Sequence, residues 1–259
     1  MHILPPGTLL QLMYIRERLR ETRPGRFIEI GPGAGHISSL LLSMGWSGTA
    51  YDLEPTTVAA LRRRFTTEIE QGRYSAVNGD WLKADLSEQF DLVLSSMVME
   101  HLDVDGEWAF VNRARECLRA DGRMISIVPG SPAHWGIEDD IAGHYRRYTV
   151  ESAMALLDSA GWQVTHAVGL TVPVSNMLLP VSNFLVRRSE ARKLSLSMEE
   201  RTKQSGIRDV PMKTTFPSFF GLVLNERTMY PLHLVQKWFR NSDAALVLYL
   251  EATANRPVA

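Results

Sequence analysis

The residues of this 259-residue chain that can do chemistry gather at a few points. Gly31, Gly33 and Gly35 stand two apart, Glu29 lies two residues ahead of them, and a helix-like apolar run from Ile37 to Met44 follows. Glycines at a sharp strand-to-helix turn let the backbone approach a ligand that any Cβ would hold off, and the helix start adds N–H groups and partial positive charge. The G-x-G-x-G spacing differs from the G-x-G-x-x-G of dinucleotide turns. Further along stand Asp52, Asp80 beside Trp81, Ser96, and two histidines set among acids and arginines, His101 and His144. Carboxylates accept from sugar hydroxyls and amino groups, and a histidine takes up a proton near neutral pH.

These groups act together only if the chain brings them to one edge. The residue pattern predicts strands at 26–30, 49–53, 74–77, 90–94, 123–128 and 162–168, with helices at 36–44, 55–69, 105–119 and 150–160 between them. An amphipathic helix over 8–21 precedes them. Alternating strands and helices imply a doubly wound, Rossmann-like parallel sheet, and FDLVL at 90–94 is apolar on both faces, as a central strand should be. In such sheets ligands bind at the carboxyl ends of the strands. Asp52 closes the second strand 17 residues after Gly35, where an acid can accept from both hydroxyls of a ribose. Asp80 closes the third, where it can accept from an adenine amino group while Trp81 or Leu82 packs on the ring. Each acid also has a plain role as a turn or cap residue; their common edge favours a nucleoside-type ligand.

The rhythm breaks after 169. Residues 170–242 carry five prolines, bulky apolar residues and charge-rich stretches, before ALVLYL at 245–250 reads as a last strand. The expected organisation is an α/β domain of residues 1–169 and 243–259, with a mostly helical insertion, 170–242, that caps the acceptor side of the site. Within it, 186–208 reads as a mobile, solvated stretch. The methionine- and aromatic-rich pieces 177–188 and 216–239 can pack as a cap, line a pocket, form a homodimer or lie on a membrane surface.

Composition narrows the class. A net charge of −1 and the lack of aromatic-interleaved basic tracts argue against nucleic acid as a partner. The basic clusters at 62–64, 146–147 and 187–188 read as solvated faces or single anion contacts. The only cysteine, Cys117, excludes an intrachain disulfide and a cysteine-based zinc site, and no metal is expected. Neither a signal peptide nor a run of about 20 apolar residues is present, so a cytoplasmic location is the simplest expectation.

The segments FIEIGPGAG, AYDLEP, NGDWL, FDLVLSSMVMEHLD and LRADGRMISIVPG resemble, in order and spacing, the successive motifs of the class I S-adenosylmethionine-dependent methyltransferases across residues 25–168. V-x-E-H-L at 98–102 and H-x-R-R-Y-T at 144–149 resemble the bacterial small-molecule and saccharide branch of that family. The resemblance implies a seven-stranded, mostly parallel sheet with an antiparallel last strand, and S-adenosylmethionine as cofactor. It also implies that Glu29, Gly31, Gly33, Gly35, Asp52, Asp80, Trp81 and Ser96 surround that cofactor, Glu29 near the methionine ammonium. Pro32 and Ala120-Asp121-Gly122 depart from the common pattern, and the likeness ends near 168.

Methyl transfer requires an acceptor atom held in line with the S–CH₃ bond and shielded from water. An amine acceptor need only be neutral, whereas a hydroxyl benefits from a general base. His101 and His144 are the candidate bases, which favours O-methylation of a small molecule or saccharide over N- or C-methylation. Against this, His101 can serve only its turn, and Arg147 and Tyr148 can simply anchor the 131–148 loop. The other readings are a cofactor-binding, non-catalytic regulator, and an NAD-type oxidoreductase, which the glycine spacing and the acid after the third strand disfavour.

Overall fold

The computed structural model describes residues 3–86, 88–205, 210, 212–214 and 216–255. His2, expected to be a surface or packed residue, and positions 206–208 of the 186–208 stretch lie outside the described residues.

The strands are β1 (Arg26–Ile30), β2 (Ser47–Asp52), β3 (Tyr74–Asn78), β4 (Phe90–Ser96), β5 (Leu118–Pro129), β6 (Trp162–Leu170) and β7 (Val247–Ala254). They form one sheet in the order β3-β2-β1-β4-β5-β7-β6, parallel except for the antiparallel β7. The helices are α1 (Pro6–Leu19), α2 (His36–Ser43), α3 (Pro55–Arg64), α4 (Thr66–Glu70), α5 (Val104–Cys117), α6 (Ile137–Ala142), α7 (Val150–Ser159), α8 (Val174–Glu190), α9 (Met198–Ser205) and α10 (Glu226–Trp238). The central strands read as apolar runs because helices cover both faces: Phe27, Ile28, Leu92, Val93 and Leu94 are wholly buried.

One expected element divides. A single helix over 55–69 is interrupted at Phe65 (φ −112°, ψ 30°). Its ring turns inward to lie 4.8 Å from that of Tyr74. The Thr66 hydroxyl bonds back to the carbonyls of Arg62 and Arg63, both at 3.1 Å, offering the backbone an alternative to continued helix.

The chain packs as two compact units. One comprises Arg23–Val128, Val150–Ala167 and Tyr249–Ala259 and holds most of the sheet. The other comprises Met1–Thr22, Pro129–Thr149 and Val168–Leu248, and contains α1, α6, α8, α9 and α10. The N-terminal helix thus groups with the inserted helices. Leu9, Leu10 and Met13 of α1 bury against Met229 of α10, and His233 Nε2 lies 2.7 Å from Glu17 Oε2. The described part of 186–208 is mostly exposed, as expected of a solvated stretch, but it is helical at both ends: 186–190 completes α8 with Val186 and Glu190 buried, and α9 follows.

Candidate functional site

In the first unit, the turn after β1 takes the conformation its glycines permit. Gly31, Gly33 and Gly35 have φ of 64°, 51° and 74°, a region other residues rarely adopt. A Cβ on Gly31 would stand 2.6 Å from Val98 Cγ2, and one on Gly35 would stand 2.6 Å from Leu61 Cδ2. Gly35 is the N-cap of α2, and no side chain caps that helix. Arg64 donates to the Ala34 carbonyl and so ties α3 to the turn. Arg62 donates to the Ala76 carbonyl from Nε and Nη2, at 3.0 and 2.8 Å. The 62–64 cluster, read from sequence as a solvated face or a single anion contact, is exposed, and two of its three arginines also clamp backbone carbonyls. An arginine triplet in sequence carries no sign of the carbonyls it will meet.

The acids have unlike surroundings. Glu29 is buried, and its carboxylate accepts from the Ser38 hydroxyl, which in turn lies 2.9 Å from Tyr74 Oη. Burial pushes its pKa up to about 7, against the lowering effect of the Ser38 hydrogen bonds. Asp52, at the carboxyl end of β2, accepts from the Glu54 N–H at 2.9 Å and from the Gly33 N–H. Burial, with the Glu54 charge beside it, holds its pKa above the usual carboxylate value. Its carboxylate thus borders the glycine turn.

Asp80 makes an ordinary turn contact, accepting from the Leu82 N–H at 3.0 Å, and pairs with Lys83 at 3.2 Å. Trp81 is buried edge-on against Phe110 of α5, with ring centroids 5.0 Å apart. Leu82 is only half-buried. Ser96 ends β4, while the preceding Ser95 is buried with its Oγ 3.1 Å from Ser126 Oγ. His101 closes a single 3₁₀ turn, Met99–His101, in which Glu100 is fully buried. Cys117 is a free, buried thiol whose pKa burial raises to about 11, away from the thiolate form.

In the second unit, residues 129–149 carry a polar network centred on Asp139. Asp139 is fully buried and accepts from the Gly136 N–H (2.8 Å), His144 Nδ1 (2.9 Å) and Arg147 Nε (2.8 Å). Arg147 also donates to the Gly130 carbonyl at 2.9 Å, and Tyr148 N–H to the Pro129 carbonyl at 2.9 Å. Burial alone would raise the Asp139 pKa; the hydrogen bonds from His144 and Arg147 and the Arg147 charge outweigh it and hold the acid ionised. Because an ionised carboxylate can only accept a hydrogen bond, His144 Nδ1 is assigned as the N–H donor to Asp139. Arg147 and Tyr148 anchor the loop, and Arg147 also fixes the acid that orients His144. Asp139 was one of several acids in this loop, and nothing in its spacing singled it out.

One further feature had no sequence signal. Met97, Ser131 and Thr171, all non-glycine, have positive φ (56°, 55° and 68°). Each lies just past the carboxyl end of a strand: β4, β5 and β6 respectively. Strained backbone of this kind costs on the order of 1–3 kcal/mol per residue and concentrates at functional edges.

A nucleoside with a cationic amino-acid tail fits what the first unit offers: a turn kept free of Cβ atoms, a carboxylate at the end of β2 and a second carboxylate buried in β1. With the strand order and the antiparallel β7, these features define a class I methyltransferase fold. The chain belongs to the methyltransferase-domain family, whose model matches residues 9–167 and whose cofactor is S-adenosylmethionine. It is 27% identical over 165 residues to phenazine-1-carboxylate N-methyltransferase of Pseudomonas aeruginosa, covering 59% of this chain and 48% of that protein. It is 27% identical over 138 residues to ubiquinone biosynthesis O-methyltransferase of Xanthomonas axonopodis pv. citri, covering 53% and 55%. The fold is similar to that of glycopeptide N-methyltransferase MtfA complexed with S-adenosylhomocysteine, with a TM-score of 0.55 and 14% identity over 96% of this chain and 90% of that one. The chain spans about half the length of these two curated relatives.

Proposed function

We propose that the protein is an S-adenosylmethionine-dependent methyltransferase that methylates a hydroxyl of a small molecule or saccharide. The observation that carries the O-methyl reading is the Asp139–His144 contact of 2.9 Å, locked by Arg147. A hydroxyl acceptor benefits from a base near neutral pH, and a carboxylate-oriented imidazole can supply one; a neutral amine acceptor gains less from it. The relatives include both N- and O-methyltransferases by name, so the choice rests on this dyad.

When bound, S-adenosylmethionine supplies a methyl group already activated on a sulfonium. In this reading Asp52 accepts from the ribose hydroxyls, and the backbone of Gly31, Gly33 and Gly35 lies against the cofactor. Glu29 faces the ammonium side, Ser96 borders the methionine end, and Asp80 lies near the adenine. Trp81 supports that wall from the core, while the half-buried Leu82 presents apolar surface. His144 removes the acceptor hydroxyl proton, and His101 is the alternative base. In the same reading the helical segment 170–242 covers the acceptor; what supports this is chain order alone, since the connections that follow β5 and β6 lead into the helical unit.

The test is turnover of labelled S-adenosylmethionine over matched panels of phenols, sugars and amines, with a ribosomal RNA fragment included. Methylation of hydroxyl compounds, lost in His144→Gln, is expected. Turnover confined to amines or RNA, or full activity of His144→Gln and His101→Gln alike, overturns the reading. Calorimetry with S-adenosylhomocysteine and NAD separates it from an oxidoreductase, and binding without turnover on any acceptor would leave a regulator.

A further inference from the structure

Residues 170–242 hold eleven Lys and Arg against five Asp and Glu, a net charge of +6; the rest of the chain sums to −7, giving −1 for the whole. Two helices of this positive segment turn apolar side chains to solvent. On α8, Met177 (75% exposed), Val181 and Phe184 (63%) recur at helical spacing, and the exposed Arg187 and Arg188 follow them. On α10, Tyr230 and Trp238 form a second stripe, Trp238 being 85% exposed, and Leu222 in the turn before it is 81% exposed. These residues are not displaced core. The inner faces are already satisfied by Val186 on α8 and by Met229, His233 and Gln236 on α10, with Met229 packed on α1.

We infer that these exposed stripes dock on an anionic bilayer surface. Exposed Trp, Tyr, Phe and Met beside arginines are the side chains of helices that lie in the membrane interface, where the rings enter the headgroup and acyl boundary and the basic heads stay at the phosphates. A segment charge of +6 on a chain of net −1 directs that contact to acidic lipid, each basic side chain near the surface adding attraction. A second copy of the chain covers the stripes less well, because it would bring the same positive segment against itself. The contact is peripheral: among the described residues no helix is long and apolar enough to cross a membrane. It is independent of the acceptor and of the methyl-transfer reading.

Flotation of the full chain with vesicles tests it. Binding is expected to vesicles of phosphatidylcholine containing about a third phosphatidylserine, not to phosphatidylcholine alone, with release at about 1 M salt, where charge is screened within a few ångströms. Phe184→Ser with Trp238→Ser is expected to weaken binding by about tenfold or more, and so, separately, is Arg187→Glu with Arg188→Glu. Both variants change exposed side chains, and unchanged thermal melting confirms that they fold. Failure to float with acidic vesicles at low salt overturns the inference, as does equal binding by wild type and both variants. A concentration-dependent dimer that Trp238→Ser dissolves also overturns it, since a second copy would then cover the stripes.

Discussion

Glu29 carries a conflict between stability and ligand chemistry. Its folded pKa, raised by burial to about 7, lies above the ordinary 4.5, so the folded chain holds the proton more tightly than the unfolded one. That contribution is fully present below about pH 4.5 and is lost as pH rises through about 7. The ionised acid therefore costs on the order of 2–4 kcal/mol at pH 8. Glu29→Gln is expected to raise the melting temperature of the cofactor-free protein at pH 8 but not at pH 5, and to weaken S-adenosylmethionine binding; calorimetry and melting at the two pH values check both. Asp52→Ala should weaken S-adenosylhomocysteine by about 1.5–3 kcal/mol, the range for a hydrogen bond to a charged group. Unchanged affinity in a folded Asp52→Ala protein would move the ribose contact to Glu54. His144→Gln should lower kcat about a hundredfold or more and leave cofactor affinity intact, the separation expected of a base that acts on the acceptor. Asp139 works in the opposite pH sense from Glu29. Its lowered pKa gives stability present above the ordinary carboxylate value and lost as pH falls through the folded one.

At the scale of elements, the β1–α2 turn shows how local rules and tertiary packing meet. Gly35 combines a φ of 74° with a Cβ position 2.6 Å from Leu61 and 2.8 Å from Phe65. Gly35→Ala therefore adds left-handed strain to overpacking and should destabilise by about 2–4 kcal/mol, readable in urea unfolding. Gly72 is the contrast: a Cβ there meets nothing within 4 Å, so Gly72→Ala should cost only the φ strain of about 1–2 kcal/mol. The glycine spacing, the 2- and 3.6-residue periods and the turn residues made most strands and helices legible, because these depend on near neighbours. The break at Phe65 was not legible: a helical pattern runs through it, and the ring of Tyr74 that draws it inward belongs to another element. Trp81 shows the same effect, since an aromatic after a strand end reads equally as a ligand platform or as a partner for Phe110.

For the whole molecule, the division into two units assigns α1 and the 129–149 loop to the helical unit. If that unit caps the acceptor, hydrogen exchange should respond in two stages. S-adenosylhomocysteine should slow exchange in residues 23–128, and a saturating acceptor should add protection in 129–149 and in the helices of 168–248. Acceptor protection confined to 23–128 would remove the cap.

The sequence by itself determined the doubly wound sheet, the glycine turn and the positions of Asp52 and Asp80 at strand ends, because alternating apolar periods and glycine dihedrals are local constraints. Only the tertiary structure decided that Glu29 is sealed against Ser38, that Arg62 and Arg64 clamp backbone carbonyls, and that Asp139 joins His144 to Arg147. Each of those outcomes depends on which distant or looped-back group meets a side chain, at the surface for the two arginines and in a water-poor interior for Glu29 and Asp139. There an acid, an arginine or a histidine takes its charge and orientation from its neighbours rather than from its place in the chain.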